Sequence, residues 1–222
     1  MRLDRIVHSN PRFYAWKLQA IATAKRALYK ALSIDDEVAR LREEISARNQ
    51  SLVRQHLAGK RVLEIGCGAG SFLASLHKDY GCSCVGIDVS DEMIRVASST
   101  NPGPTYRVMD SSKLEFADNA FDVIVFNYVL HHVRNLAATI AEAKRVGRKI
   151  VFYECCAWER QPAKFISRLY WKITDGGFQY LTLNEWRSRF AAPVLDEIRG
   201  RGLVRYGMCV LDVSGSLSTT DH

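Results

Sequence analysis

No stretch of this sequence approaches the ~18 uninterrupted apolar residues of a membrane-spanning helix. The most apolar run, Phe121 to Val133, is broken by Asp122, Asn127, His131 and His132. The N-terminus has neither the apolar core nor the small-residue cleavage site of a secretory signal. None of the six cysteines (Cys67, Cys82, Cys84, Cys155, Cys156 and Cys209) sits in a C-x-x-C pair, and no histidine cluster completes a zinc set. Buried reduced thiols in a cytoplasmic protein, with no metal, are therefore the expectation. Internal repeats and low-complexity tracts are also missing.

What is there reads as globular. Apolar residues make up 47% and charged residues 25% of the 222 positions, an ordinary balance. A chain of this size buries roughly 70–75% of its unfolded surface, so its core needs no disulfide or metal staple. The formal charge is +7 and unevenly placed: residues 1–60 hold 12 Lys/Arg against 6 Asp/Glu, and the remainder is nearly neutral. A basic piece of this kind suits nucleic acid, an anionic membrane or an acidic small molecule, or is only a solvated helix face.

Periodicity divides the chain in two. Over 11–32, Phe13, Trp16, Ala20, Ile21, Ala24, Ala27, Leu28 and Ala31 fall at helical spacing, with lysines and arginines opposite. A second helix follows Ser33 and Asp35, carrying Val38, Leu41, Ile45 and Leu52 to about His56. From Arg61 strands and helices alternate. Strands are predicted at Arg61–Ile65, Cys82–Asp88, Tyr106–Met109, Phe121–Asn127 and Lys149–Tyr153; helices follow the glycine turn to Tyr80, then Asp91–Ser99 and Leu136–Val146. This alternation predicts an α/β, doubly wound, mostly parallel sheet covered on both faces. Residues 155–181 read as an irregular aromatic insertion. Thr182 and Glu185 form a capping-box start for a helix to about Ala191. Pro193–Ile198 and Leu203–Val213 are predicted as a hairpin turning at Gly200-Arg201-Gly202. A loose tail follows.

The chemistry concentrates in Val62-Leu63-Glu64-Ile65-Gly66-Cys67-Gly68-Ala69-Gly70. A buried strand entering Gly-x-Gly-x-Gly and then a helix allows a sharp turn and lets a ligand approach bare backbone. Asp88 closes the next strand twenty residues after Gly68, where a carboxylate can accept from a ribose diol. A dinucleotide site of an NAD-dependent oxidoreductase wants a third glycine where this chain has Ser71. A pyrophosphate also gains nothing from Glu64, whereas a sulfonium or α-ammonium group does.

These motifs resemble the class I S-adenosylmethionine-dependent methyltransferases, in particular the small-molecule, methyltransferase type 11-like group, well over 60–154 and loosely over 182–213. The resemblance implies a seven-stranded sheet of order 3-2-1-4-5-7-6, with S-adenosyl-L-methionine as cofactor and S-adenosyl-L-homocysteine as product. It assigns Glu64, Gly66, Cys67, Gly68 and Gly70 to the cofactor loop, Asp88 to the ribose, Val89 and Met93 to the adenine faces, and Asp110 with Ser111 to the adenine edge. Asn127 and Val129 lie in the loop after the fourth strand, beside the transferring methyl group. His132 and His131 are the candidate general bases, with Tyr153 and Glu154 behind them.

The fourth-strand segment Asn127-Tyr128-Val129-Leu130 lacks the Asp/Asn-Pro-Pro-aromatic motif of base-methylating enzymes, and no RNA-binding module is recognisable. A small organic acceptor is therefore expected, and nucleic acid is not. By resemblance residues 1–59 form a helical extension or lid, with Arg12, Tyr14 and Trp16 able to line the acceptor pocket. Residues 60–215 form the core, 155–181 a second pocket wall, and 216–222 a flexible tail. A catalytically silent cofactor-binding module, acting through its basic helices on a protein or RNA, is the alternative from another functional class.

Overall fold

The computed structural model describes residues 35–174, 177–199 and 206–214, together with helical positions 19, 20 and 23. The rest of the predicted 11–32 helix, with Arg12, Tyr14 and Trp16, lies outside the described residues. So do the hairpin turn at 200–202 and the 216–222 tail.

The chain enters through helix α1 (Asp35–His56). The αβ alternation then runs β1 (Arg61–Ile65), α2 (Ser71–Tyr80), β2 (Ser83–Asp88), α3 (Asp91–Thr100), β3 (Thr105–Val108) and β4 (Phe121–Asn127). A 3-10 turn (Leu130–His132) follows, then α4 (Leu136–Val146) and β5 (Gly147–Cys155). Helices α5 (Ala163–Thr174) and α6 (Leu183–Phe190) precede strands β6 (Val194–Arg199) and β7 (Tyr206–Asp212).

The seven strands order as β3-β2-β1-β4-β5-β7-β6, the expected order. The pairs from β3 to β5 are parallel, while β5–β7 and β7–β6 are antiparallel. Strand β4 shows why the sheet is covered on both sides. Ile124 and Phe126 face a core containing Phe152, Trp186 and Phe190, and Val123 and Val125 face another containing Val62, Leu73, Val151 and Met208. Both sets are fully buried, as an interior parallel strand requires. Phe152 stacks on Phe190 with ring centroids 5.0 Å apart. Helix α1 joins the second core through Leu52 and Val53.

Local caps set the helix starts. Ser90 accepts the Met93 N–H ahead of α3, Asn135 accepts the Ala138 N–H ahead of α4, and Thr182 with Glu185 completes the predicted capping box. Helix α2 is different: it begins at Gly70, in the left-handed region and with no side-chain cap. The long β3–β4 connection is clamped by Arg145, which donates to the Leu114 and Phe116 carbonyls and to Glu142 and Asp118.

One expectation needs correcting. The 155–181 insertion is not irregular throughout, because Ala163–Thr174 forms helix α5. Pro162 immediately before it is a helix-start signal, outweighed in the sequence by the surrounding aromatics. Among the described residues no helix is long and apolar enough to cross a membrane.

Candidate active site

In a doubly wound sheet the ligand crevice lies beyond the strand C-termini, where strand order reverses. Here β1 sits between β2 and β4, so that point falls between the glycine turn after β1 and the turn after β4. The two turns touch. A Cβ on Gly66 would lie 2.3 Å from Val129 Cγ2.

The three glycines serve different needs, although all have positive φ. Gly66 makes room for Val129, and Gly70 for Tyr106, whose hydroxyl would stand 2.6 Å from an added Cβ. Above Gly68 nothing lies within 4 Å, so its backbone is the open one. The Gly68 N–H donates to Asp88 Oδ2 at 3.0 Å, and Ser90 N–H donates to Oδ1 at 2.9 Å. Asp88 is thereby held under the loop. Cys67 turns its side chain inward, where burial pushes the thiol up to about 12; only its backbone faces the turn.

Glu64 is fully buried at the end of β1, and its Oε2 has no hydrogen-bond partner. Burial pushes its carboxyl up to about 8; the Asp88 charge adds to the rise, and a hydrogen bond with Asn127 opposes it. The acid expected to be ionised is thus protonated at neutral pH. Because this folded-state value exceeds the unfolded one near 4.5, the folded protein binds the extra proton between them. The stability penalty from Glu64 builds as pH rises from about 4.5 to about 8 and is complete above that. Glu64→Gln should flatten the decline in thermal midpoint between pH 6 and pH 9; parallel curves for the two proteins would refute the assignment.

Val89 and Asp110 share a cleft of about 440 Å³ with Val108, Met109, Lys113 and Glu115. Val89 is an apolar side chain 72% exposed there. Asp110 accepts from the Ser112 N–H and hydroxyl, both at 2.8 Å, which holds its carboxyl below the usual range. Met93 is half-buried at the start of α3. Ser111 is not brought in by its side chain, because its hydroxyl bonds Thr139 of α4 at 2.9 Å.

The turn after β4 is the other wall. Register Asn127↔Tyr153 sets Glu154 beside it. Glu154 Oε1 accepts the Leu130 N–H at 2.6 Å, and Oε2 lies 2.6 Å from His131 Nδ1. Both side chains are buried, and burial raises the Glu154 carboxyl while His131 opposes the rise. His131 stacks against Tyr180 at 5.4 Å and meets the His132 ring at a tilt of 47°, centroids 4.2 Å apart. His132 is the less buried of the two histidines. Glu154, His131 and Cys155 carry ligand-type atoms within 4.8 Å of one another, a convergence with no trace in residue spacing. Tyr180 belongs to the aromatic 155–181 segment expected as a pocket wall, and Tyr128 to the segment after the fourth strand, but sequence reasoning gave neither an individual role. Tyr128 is left-handed (φ 54°) and half-exposed, a strain that no sequence signal announces.

Residues 63–153 match the model of the methyltransferase domain family. That match, with the strand order and the motifs above, is what the chain shares with the class I S-adenosylmethionine-dependent methyltransferases. Among curated proteins, a ubiquinone/menaquinone biosynthesis C-methyltransferase of Desulfotalea psychrophila is 35% identical over 65% of this chain and 65% of its own length. An uncharacterized methyltransferase of Bacillus subtilis, YcgJ, is 29% identical over 62% of this chain and 58% of its own. The chain thus spans about six-tenths of the length of these relatives. The crystal structure of the Bacillus YcgJ protein superposes with a TM-score of 0.58 at 23% identity, covering 67% of this chain and 70% of that one, a likeness of fold.

Proposed function

We propose that this chain moves a methyl group from S-adenosyl-L-methionine to a small organic acceptor, leaving S-adenosyl-L-homocysteine. The observation that carries the reading is the meeting of an unpartnered buried Glu64 Oε2, the open backbone at Gly68 and the anchored Asp88 carboxylate at one strand-order reversal. An orphaned acid and bare backbone fit a cation-bearing nucleoside better than a diphosphate.

On this reading Glu64 answers the cationic part of the cofactor and gives up its proton when a positive charge arrives. Asp88 takes the ribose hydroxyls, Val89 and Met93 flank the adenine, and Asp110 takes its edge. When bound, the cofactor supplies an electrophilic methyl group on a sulfonium. The protein's own tasks are to hold the acceptor in line and to exclude water, and such alignment supplies ~7–11 kcal/mol of a barrier. Asn127 and Val129 form the wall beside the reacting centre. His132 takes the acceptor's proton, and His131, braced by Glu154, supports its ring. The named activity of the Desulfotalea relative favours a planar, apolar, hydroxylated acceptor, which suits the aromatic wall of Trp171, Phe178 and Tyr180. The six free buried cysteines suit a cytoplasmic location.

Calorimetric titration with S-adenosyl-L-methionine and, separately, with NAD tests the cofactor. Labelled-methyl transfer to a hydroquinone panel tests the reaction; binding without transfer to any acceptor would favour a silent module. His132→Ala should lower kcat by about 10²–10⁴-fold while cofactor affinity stays within about twofold. Unchanged turnover would remove His132 from the proton-accepting role.

A further inference from the structure

Helix α5 presents an apolar face to solvent. Phe165 is 65% exposed, Ile166 62% and Leu169 49%. At about 100° per residue these three fall within roughly a 100° arc. The opposite face is engaged. Ser167 accepts the Trp158 N–H at 2.9 Å, Arg168 donates to the Tyr180 carbonyl, and Trp171 stacks on Tyr180. The exposed face is thus not a loosely placed side of the helix, because the helix is fixed from behind.

Along the helix itself the charge has one sign. Residues 160–174 contain Arg160, Lys164, Arg168 and Lys172 and no acid. Lys164 and Arg168 flank the apolar arc and are held in place by Glu185, at 2.7 and 2.6 Å. Arg160 and Lys172 are exposed. Nearby in the same insertion, exposed Phe178 lies under the Arg134 guanidinium, 5.4 Å from the ring centroid. Bulky apolar side chains bordered by cations are the composition of a helix that lies in a bilayer interface. A protein partner for such a face would have to be acidic and apolar together; an anionic lipid surface offers both properties at once.

We infer that α5 is a membrane-docking helix, with Phe165, Ile166 and Leu169 seating in an anionic lipid surface and the cations beside them meeting the headgroups. The contact is peripheral, made by one face of one helix. It places Tyr180, and through it the stacked His131, directly behind the lipid-facing element. The inference goes beyond the proposed reaction and does not depend on it.

Vesicle flotation of the full chain tests it, using phosphatidylcholine alone and phosphatidylcholine with about 30% phosphatidylserine. The protein should float with the anionic vesicles, at least about tenfold less with the neutral ones, and less at high salt. The double variant Phe165→Ser/Ile166→Ser changes no charge and should cut anionic-vesicle binding by at least about tenfold, its thermal midpoint remaining within about 3 °C because both residues are exposed. Failure of the unaltered protein to float would overturn the inference. So would full binding by the double variant, which would assign the contact to another basic surface. A large fall in the variant's thermal midpoint would mean that the chain itself covers the face. A dimer by light scattering that the substitutions dissociate would mean that a second copy covers it; either result rejects the lipid assignment.

Discussion

Gly68→Arg is expected to abolish cofactor binding in a protein that still folds. The position is in the left-handed region, φ 51°, so a side chain there costs about 1–2 kcal/mol of backbone strain. For a domain of this size that lowers the thermal midpoint by roughly 2–8 °C. The added Cβ itself meets nothing within 4 Å. The rest of the arginine fills the space over the loop and sets a guanidinium among Asp88 and Glu64, the acids proposed to hold the ligand. Affinity for S-adenosyl-L-methionine by calorimetry should fall by at least about 100-fold, or nearly 3 kcal/mol. Affinity equal to that of the unaltered protein would show that the ligand does not approach this backbone. Gly66 and Gly70 are unsuitable for the same experiment, because an added Cβ would strike Val129 or Tyr106 and damage the fold first.

The second large effect is expected at Glu154. Glu154→Ala removes the acceptor of the Leu130 N–H and the partner of His131 Nδ1, both at 2.6 Å and both in the interior. Leaving two buried hydrogen-bonding groups without a partner costs about 1–3 kcal/mol each, which corresponds to a fall of roughly 4–24 °C in thermal midpoint. The cost arises from two stranded polar groups more than from the lost contact. Glu154→Gln keeps the shape and an acceptor for Leu130, so it should recover a good part of the loss. A midpoint for Glu154→Ala within a degree or two of the unaltered protein would mean that the turn after β4 is held by something else.

These residues also mark what can be read from a linear sequence. Strands β1, β2, β4 and β5 are legible as short apolar runs between turn signals, and their alternation with helices implies a parallel sheet. The α6 capping box is legible because Thr182 and Glu185 are local partners. Boundaries drift by a residue or two, as at β3, predicted from Tyr106 and observed from Thr105. Helix α5 is harder to see. Its apolar and polar positions segregate at the helical period as clearly as in the other helices, but the surrounding aromatics mask that pattern, and its apolar residues Phe165, Ile166 and Leu169 face outward rather than into a core. The Glu154–His131 pair is hidden for another reason: it depends on the register of two parallel strands, which no spacing along the chain encodes. Glycines are ambiguous in the same way. Gly70 looks like part of a ligand loop, but its missing Cβ makes room for a tyrosine from β3. The protonated state of Glu64 follows from depth of burial, a property of the assembled sheet.

The contact of Val129 with Gly66 ties two parts of the crevice together. One side chain of the turn after β4 rests directly on the glycine turn after β1, so any enlargement at that position disturbs both turns together. Changes at Val129 are therefore expected to act on the two turns at once. The insertion between β5 and α6 meets the turn after β4 through Tyr180 and His131, so substitutions in it can reshape the wall proposed for the acceptor while leaving the Gly66–Val129 contact intact.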